Sequence, residues 1–534
     1  CIAGFVGLYI PFNYHALILR AGEQNTTDIV IAIIAVLFVL EAGRRVVGLP
    51  IVIIASTFLV YCVVGPYLPG FLNHRGYSVA RIVSHMYYTT EGILGTPIGV
   101  SSTFIFLFIL FGSFLDKTGI GKFFIDLANA VAGKAVGGPA KVAVLSSALT
   151  GTISGSSVAN TVGTGSFTIP LMKSLGYKPE FAGAVEAAAS TGGQLMPPIM
   201  GAAAFLMSEF IGIPYGSIAK AAIIPALLYF SGIWIMVDLE ARKTGMKGLE
   251  GSKLPKLGKV LGERWFLFTP IFVIVYMLMS GTTPIKAALY GIYSSILVGM
   301  IRKETRMNLK SLLQALETGA KSALGVAIAC ACAGIIVGTV TLTGLGLKMG
   351  NGLVELAGGY LLPTLFLTMI SSLILGMGAP TTANYIITST IAAPALLKLG
   401  VNPLTAHMFV FYFGIIADIT PPVALAAFAG SAIAKSDPIK TGINASKLAI
   451  AAFLIPYIFV INPQLLLINT SGLEVIQITI TSLIGMFGIG IAMEGFIFGK
   501  VNAVLRLLFL AGGLCLIDPG VYTDMIGIVV IGLG

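Results

Sequence analysis

Long apolar runs recur along the whole chain, among them Ile29 to Leu40, Ile98 to Leu115, Trp265 to Met279 and Ile476 to Phe496, and short polar or basic links separate them. This patterning constrains the fold more than any other feature. Each run has to leave water, and a bilayer admits only helices or closed barrels. The runs do not alternate with period two, which excludes a transmembrane barrel. A soluble core of this size needs far more charge than the 10% of residues that carry one here, against 56% hydrophobic and a mean hydropathy of +0.96. The fold class is therefore an all-α polytopic membrane protein, embedded in the lipid bilayer of the cell or inner membrane.

The 32 Lys and Arg outnumber the 22 Asp and Glu. A basic excess fits nucleic acid in a soluble protein, but here it falls in the links between spans. The positive-inside bias explains it, and nucleic acid is no partner. The link Asp238 to Arg264 carries seven basic and four acidic residues and is assigned to the cytoplasm. Cys1, Cys62, Cys330, Cys332 and Cys515 lie at neither metal-ligand nor disulfide-framework spacing and read as small core residues. Both chain ends, the Cys1 start and the apolar close "GIVVIGLG", read as trimmed.

An internal repeat organises the middle of the chain. Pro139 to Ala203 aligns without a gap on Pro363 to Ala427 at an offset of 224, with 15 of 65 positions identical. Asn160/Asn384, Leu175-Gly176/Leu399-Gly400 and Pro197-Pro198/Pro421-Pro422 all fall in register, which argues against coincidence. In each copy an apolar stretch of about fourteen residues reaches a small-residue tip, "SGSS" or "GAPTT", and a second stretch follows. Fourteen helical residues rise about 21 Å, short of the roughly 30 Å hydrocarbon core. Each pair is therefore expected to be a re-entrant helical hairpin, followed by a helix broken at its Pro-Pro pair. Five crossings separate the hairpins, so the two copies are inverted, and the same walk gathers the basic clusters on one side.

Inverted repeats with discontinuous helices meeting at the midplane mark secondary transporters. Glycine-rich polar backbone in such a chain must line a protein-enclosed cavity, since lipid does not tolerate it. Half-helix N-termini there attract anions, freed carbonyls suit hard cations, and Ser154, Ser156, Ser157, Asn160, Thr381, Thr382 and Asn384 add neutral oxygens. That donor set suits sodium better than zinc or copper. Asp418 in "ADITPP", opposite Gln194 of the first copy, is an intramembrane carboxylate placed to hold a cation or take a proton. Glu186 is expected to pair with a basic loop residue, and His407 to sit at the interface near a helix end. A catalytic centre is not expected: the four histidines form no intramembrane cluster, and no paired carboxylates occur.

The segments "GTISGSSVANTVGTGSFTIPLMKSLGYKPEFAGAVEAAASTGGQLMPPIMGAAAF", "GMGAPTTANYIITSTIAAPALLKLG" and "DITPPVALAAFAGSA" resemble the membrane subunit of TRAP (tripartite ATP-independent periplasmic) transporters, most closely the TAXI branch with fused small and large subunits. The resemblance is strong over about Ile98 to Lys447. It implies partial small-subunit scaffold helices over 1–66 and a connector with an amphipathic arm over 67–97. The large-subunit core then covers 98–447, with repeats at 118–208 and 343–434, and C-terminal helices cover 448–534. It further implies an elevator-type symporter, driven by two or more sodium ions, importing a small organic acid delivered by a TAXI-like extracytoplasmic substrate-binding protein. By motif, the first sodium site falls on Ser154, Gly155, Asn160, Met196 and Pro197. The second falls on Gly376, Gly378, Thr381, Asn384, Asp418 and Thr420, and substrate lies between Ser156, Ser157, Gln194 and Thr382. Pro380 stands where the first copy has Ser156, so the two tips are not chemically equal. The rival readings are a binding-protein-independent divalent-anion/sodium symporter, a membrane-embedded enzyme and a channel.

Overall fold

Helices account for nearly all regular structure in the computed structural model, which describes residues 2–20, 22–251, 254–518 and 520–533. Cys1 and the Lys253 of the basic link lie outside the described residues. Among those described there is no β-strand, only an isolated bridge between Phe496 and Lys500. Six helical stretches are long and apolar enough to cross a membrane: Leu49–Tyr67, Thr96–Lys117, Tyr215–Lys243, Leu257–Met279, Leu309–Thr343 and Gly472–Glu494. A bent pair, Pro438–Leu448 and Ile450–Ile461, makes a seventh if taken as one span. Each of the long apolar runs lies on a helical stretch, although Ile476 to Phe496 overruns its helix by two residues.

The repeated segments take another form. In the first copy, Gly138–Ser154 and Ser157–Ser174 are two legs joined at Gly155-Ser156 and packed on each other. Gly155 has φ +61, a left-handed turn that ends the first leg, and Ser156 caps the second by accepting from the Ala159 amide. In the second copy the legs are Leu361–Gly376 and Thr381–Ile391, the latter continued by Ala393–Lys398. The legs Gly138–Ser154, Ser157–Ser174 and Leu361–Gly376, at 17, 18 and 16 residues, are longer than the fourteen read from the sequence, and none of the legs is among the helices both long and apolar enough to cross a membrane. Each hairpin is followed by a helix opened by proline at its first residue, Pro179–Gly192 or Pro403–Ile416. Each of those helices stops before its Pro-Pro pair, whose bond is cis in both copies, and resumes as Gly201–Ile211 or Leu425–Ala434. Proline has no amide hydrogen to continue the helical ladder, so the break falls where the sequence places it.

Two compact units divide the chain, Cys1–Leu107 with Thr318–Gly414 and Phe108–Glu317 with Ile415–Gly534. The first unit has a core of Val36, Ala55, Cys62, Met86, Ile336 and Ile387. In it the helix Leu345–Leu356 packs on all parts of the second hairpin. In the second unit, the helix Pro179–Gly192 is buried against both legs of the first hairpin, against Leu425–Ala434 and against Pro438–Leu448. Backbones meet closely there: a Cβ on Gly193 would lie 2.5 Å from the Gly151 Cα. Small residues permit that approach, the usual basis of helix packing in membranes. Cys62, Cys330 and Cys332 are buried free thiols, in line with a core role, and Cys515 is half-buried.

Candidate functional site

In the second unit the first hairpin tip, the first Pro-Pro break and Asp418 come together. The Asn160 side chain, one turn into the second leg, donates from Nδ2 to the Ser147 carbonyl at 2.9 Å, bridging the legs. Facing a carbonyl fixes which amide atom is nitrogen. Asn160 Oδ1 is consequently turned away, buried and without a hydrogen-bond partner. Thr164 donates to the Asn160 carbonyl at 2.8 Å, which pins the turn below. Ser157 Oγ donates to Asp418 Oδ2 at 2.6 Å, and the Asp418 residue is 3% exposed. Gln194, in the short 3-10 turn Gly193–Leu195, is also buried and is set toward the Asp418 carboxyl, though outside strict hydrogen-bond geometry. Ser154 ends the first leg, and Met196 and Pro197 follow Gln194 into the break, half-buried.

The first unit holds the corresponding group of the second copy. Asn384 Nδ2 donates to the Gly376 carbonyl at 3.3 Å and to the Gly414 carbonyl, while its Oδ1 is buried without a partner. Thr388 donates to the Asn384 carbonyl at 2.9 Å, the counterpart of Thr164. Gly378 has φ +75 at the tip, and Thr382 is buried at the start of the second leg. Thr381, Gly376 and Gly378 thus lie in the first unit, whereas Asp418 and Thr420 belong to the second.

Freed carbonyls at the breaks are less open than the sequence reading holds. Tyr215, fully buried behind the first break, directs its hydroxyl at the Pro198 and Ile199 carbonyls at 2.7 and 2.5 Å. At the second break the Asp418 carbonyl accepts from the Ala426 amide at 2.9 Å, and the Ile419 carbonyl accepts from Ser446 Oγ at 3.0 Å. Thr420 returns its hydroxyl to the Ile416 carbonyl at 2.9 Å. Unsatisfied backbone in a dry interior is costly, so nearby hydroxyls and amides fill it. Asn160 Oδ1 and Asn384 Oδ1 are among the side-chain atoms that stay unfilled.

Two further expectations are corrected. Glu186 forms no ion pair among the described residues; four hydroxyls cage it instead, Ser147 from the first leg, Thr164 and Thr168 from the second, and Ser190 from its own helix at 3.2 Å. It is fully buried. His407 is no interfacial residue either: it is 7% exposed, and its Nδ1 lies 2.7 Å from the Tyr385 hydroxyl. Sequence reasoning missed Tyr215 and Ser446, which come from helices outside the repeat, and missed the hydroxyl cage. The cage carries a faint signal, since Thr164 and Thr168, and Glu186 and Ser190, are each four residues apart and so share a helix face.

No Lys, Arg or His occurs in 151–165, 190–201, 376–384 or 414–422. A polytopic helical protein with broken helices around buried neutral oxygens and one carboxylate has the construction of a secondary transporter. The family model "Tripartite ATP-independent periplasmic transporter, DctM component" matches residues 34–472, and the chain belongs to that family. It is a transporter permease of the inner membrane, not an enzyme. A C4-dicarboxylate TRAP transporter large permease protein of Pseudomonas aeruginosa is 26% identical over 330 residues, 61% of this chain and 76% of that one. The isethionate TRAP transporter permease protein of Oleidesulfovibrio alaskensis is 25% identical over 332 residues, 62% and 52% of the two chains. The 2,3-diketo-L-gulonate TRAP transporter large permease protein of Escherichia coli is 24% identical over 373 residues, 68% and 84%.

Proposed function

We propose that the protein is a sodium-coupled symporter that imports a small organic acid, handed to it by an extracytoplasmic substrate-binding protein, through alternating access of a hairpin-bearing elevator domain. The observation that carries this reading is the pair of repeat-equivalent asparagines. Asn160 and Asn384 each commit the amide nitrogen to carbonyls and leave Oδ1 buried and bare. A buried acceptor without a donor costs about 1–3 kcal/mol unless a ligand meets it. A hard cation that favours oxygen ligands meets it without needing a proton. In this reading one ion would be held in the second unit by Asn160 Oδ1 with Ser154, Gly155, Met196 and Pro197, and another in the first unit by Asn384 Oδ1 with Gly376, Gly378 and Thr381. Asp418, bonded to Ser157, is the carboxylate that the second unit offers a cation, and substrate would lie there against Ser156, Ser157 and Gln194. With no cationic side chain at either tip, the charge of a carboxylate falls to half-helix N-termini, to hydroxyl and amide donors, and to the ions themselves. The relatives named for C4-dicarboxylates, isethionate and 2,3-diketo-L-gulonate support a small organic acid as the cargo. The fused arrangement with small-subunit helices over 1–66, and the TAXI branch, belong to the same proposal.

The test is uptake in proteoliposomes under an imposed sodium gradient, with and without the binding protein, across dicarboxylates, amino acids and sugar acids. Asn160→Ala and Asp418→Asn are each expected to weaken sodium activation about tenfold or more, about 1.4 kcal/mol. Sodium activation unchanged in both variants removes the site assignment, and uptake indifferent to the gradient removes the coupling.

A further inference from the structure

An apolar groove of about 600 Å³ opens on the second unit. Its walls are the first leg of the first hairpin (Leu145, Ala148), the helix Tyr215–Lys243 (Leu227, Phe230, Trp234) and the helix Gly472–Glu494 (Phe487). Along Tyr215–Lys243 one face runs Leu227, Phe230, Trp234, Asp238, Arg242, so the groove changes at one end from apolar to charged. At that mouth Lys141, on the groove-facing side of the hairpin leg, lies with Nζ 5.4 Å from the Trp234 ring centroid and 2.5 Å from Asp238 Oδ1. Arg242 Nε reaches Asp238 Oδ2 at 2.6 Å. Two cations thus share one carboxylate, and the cluster keeps a net positive charge. The Arg242 side chain remains 52% exposed. The mouth lies on the side to which the basic links are assigned, where cytoplasmic-leaflet headgroups sit.

We propose that this groove binds an acyl chain of a cytoplasmic-leaflet phospholipid whose anionic headgroup rests on the exposed Arg242, with the buried Lys141 beneath it. A wall of Trp, Phe and Leu carries almost no polar surface for anything but an apolar chain to recognise. The guanidinium of Arg242 has donors beyond the one given to Asp238, and phosphate is a ligand they fit. Basic residues at the membrane surface favour anionic over zwitterionic lipid by about fivefold each.

Native mass spectrometry of the detergent-purified full chain, with phosphatidylglycerol and phosphatidylcholine of matched acyl chains, tests this. Wild type is expected to retain phosphatidylglycerol at least about fivefold better. Arg242→Gln, which alters an exposed side chain and leaves Lys141 to pair Asp238, is expected to erase most of that preference while keeping basal retention. Ala148→Phe, which fills the groove, is expected to lower retention of both lipids; spin-labelled lipid exchange reads the same site if that variant is poorly expressed. Equal retention of the two lipids by wild type, a preference unchanged in Arg242→Gln, or full retention in Ala148→Phe each overturns the proposal. None of these readouts depends on sodium coupling.

Discussion

Glu186 is a full carboxyl group at 0% exposure, ringed by four hydroxyls and by no cation among the described residues. Ser147 and Thr164 in that ring are also the residues that hold Asn160, one through its carbonyl and one through its hydroxyl. The acid therefore ties both hairpin legs to the broken helix and fixes the aim of Asn160 Oδ1. Glu186→Gln puts an NH₂ among hydroxyls that donate to the acid, and we expect thermal unfolding in detergent to report a loss of about 1–3 kcal/mol. A melting temperature equal to wild type would show that the ring rearranges without cost. The second copy has Val410 at this position, so the two asparagines are supported differently.

At the scale of elements, the helix Pro179–Gly192 and its 3-10 extension lie against the first hairpin with backbone on backbone. Gly193 and Gly151 leave no room for a methyl group, whereas a Cβ on Gly163 of the second leg meets nothing within 4 Å. Gly193→Ala is expected to cost roughly 1–3 kcal/mol by forcing the leg away, and Gly163→Ala to be close to neutral or slightly favourable. Fluorescence-detected gel filtration after a heating series compares the two. Equal loss in both would mean that the close approach does not hold the hairpin in place.

Inversion of the two copies is a statement about the whole molecule. Lys178 and Asn402 are repeat-equivalent, each exposed and one residue before the proline that opens its broken helix. If the copies insert oppositely, an impermeant thiol reagent labels Asn402→Cys in right-side-out vesicles and Lys178→Cys only in inside-out ones, over the wild-type background. Labelling of both from one side would end the inverted reading. The first copy lies within one compact unit, while the second is divided at Gly414/Ile415, so sequence equivalence does not carry over into equal placement.

Helix existence, the hairpin turns at Gly155 and Gly378, and the breaks at both Pro-Pro pairs were legible in the sequence. Hydropathy, glycine and missing amide hydrogens act locally, within a turn of the residue concerned. The asparagine pair was legible too, because a repeat exposes what each copy retains. Which groups remain unsatisfied was not. Tyr215 and Ser446 close carbonyls that proline had freed, Glu186 finds hydroxyls rather than a loop lysine, and His407 is drawn inward to Tyr385. Those partners stand tens of residues away or on other helices, and pairing across that distance is set by packing. The chain by itself thus determined where helices run and stop, since backbone hydrogen bonding is local; only the tertiary structure decided which buried oxygens are left for a ligand.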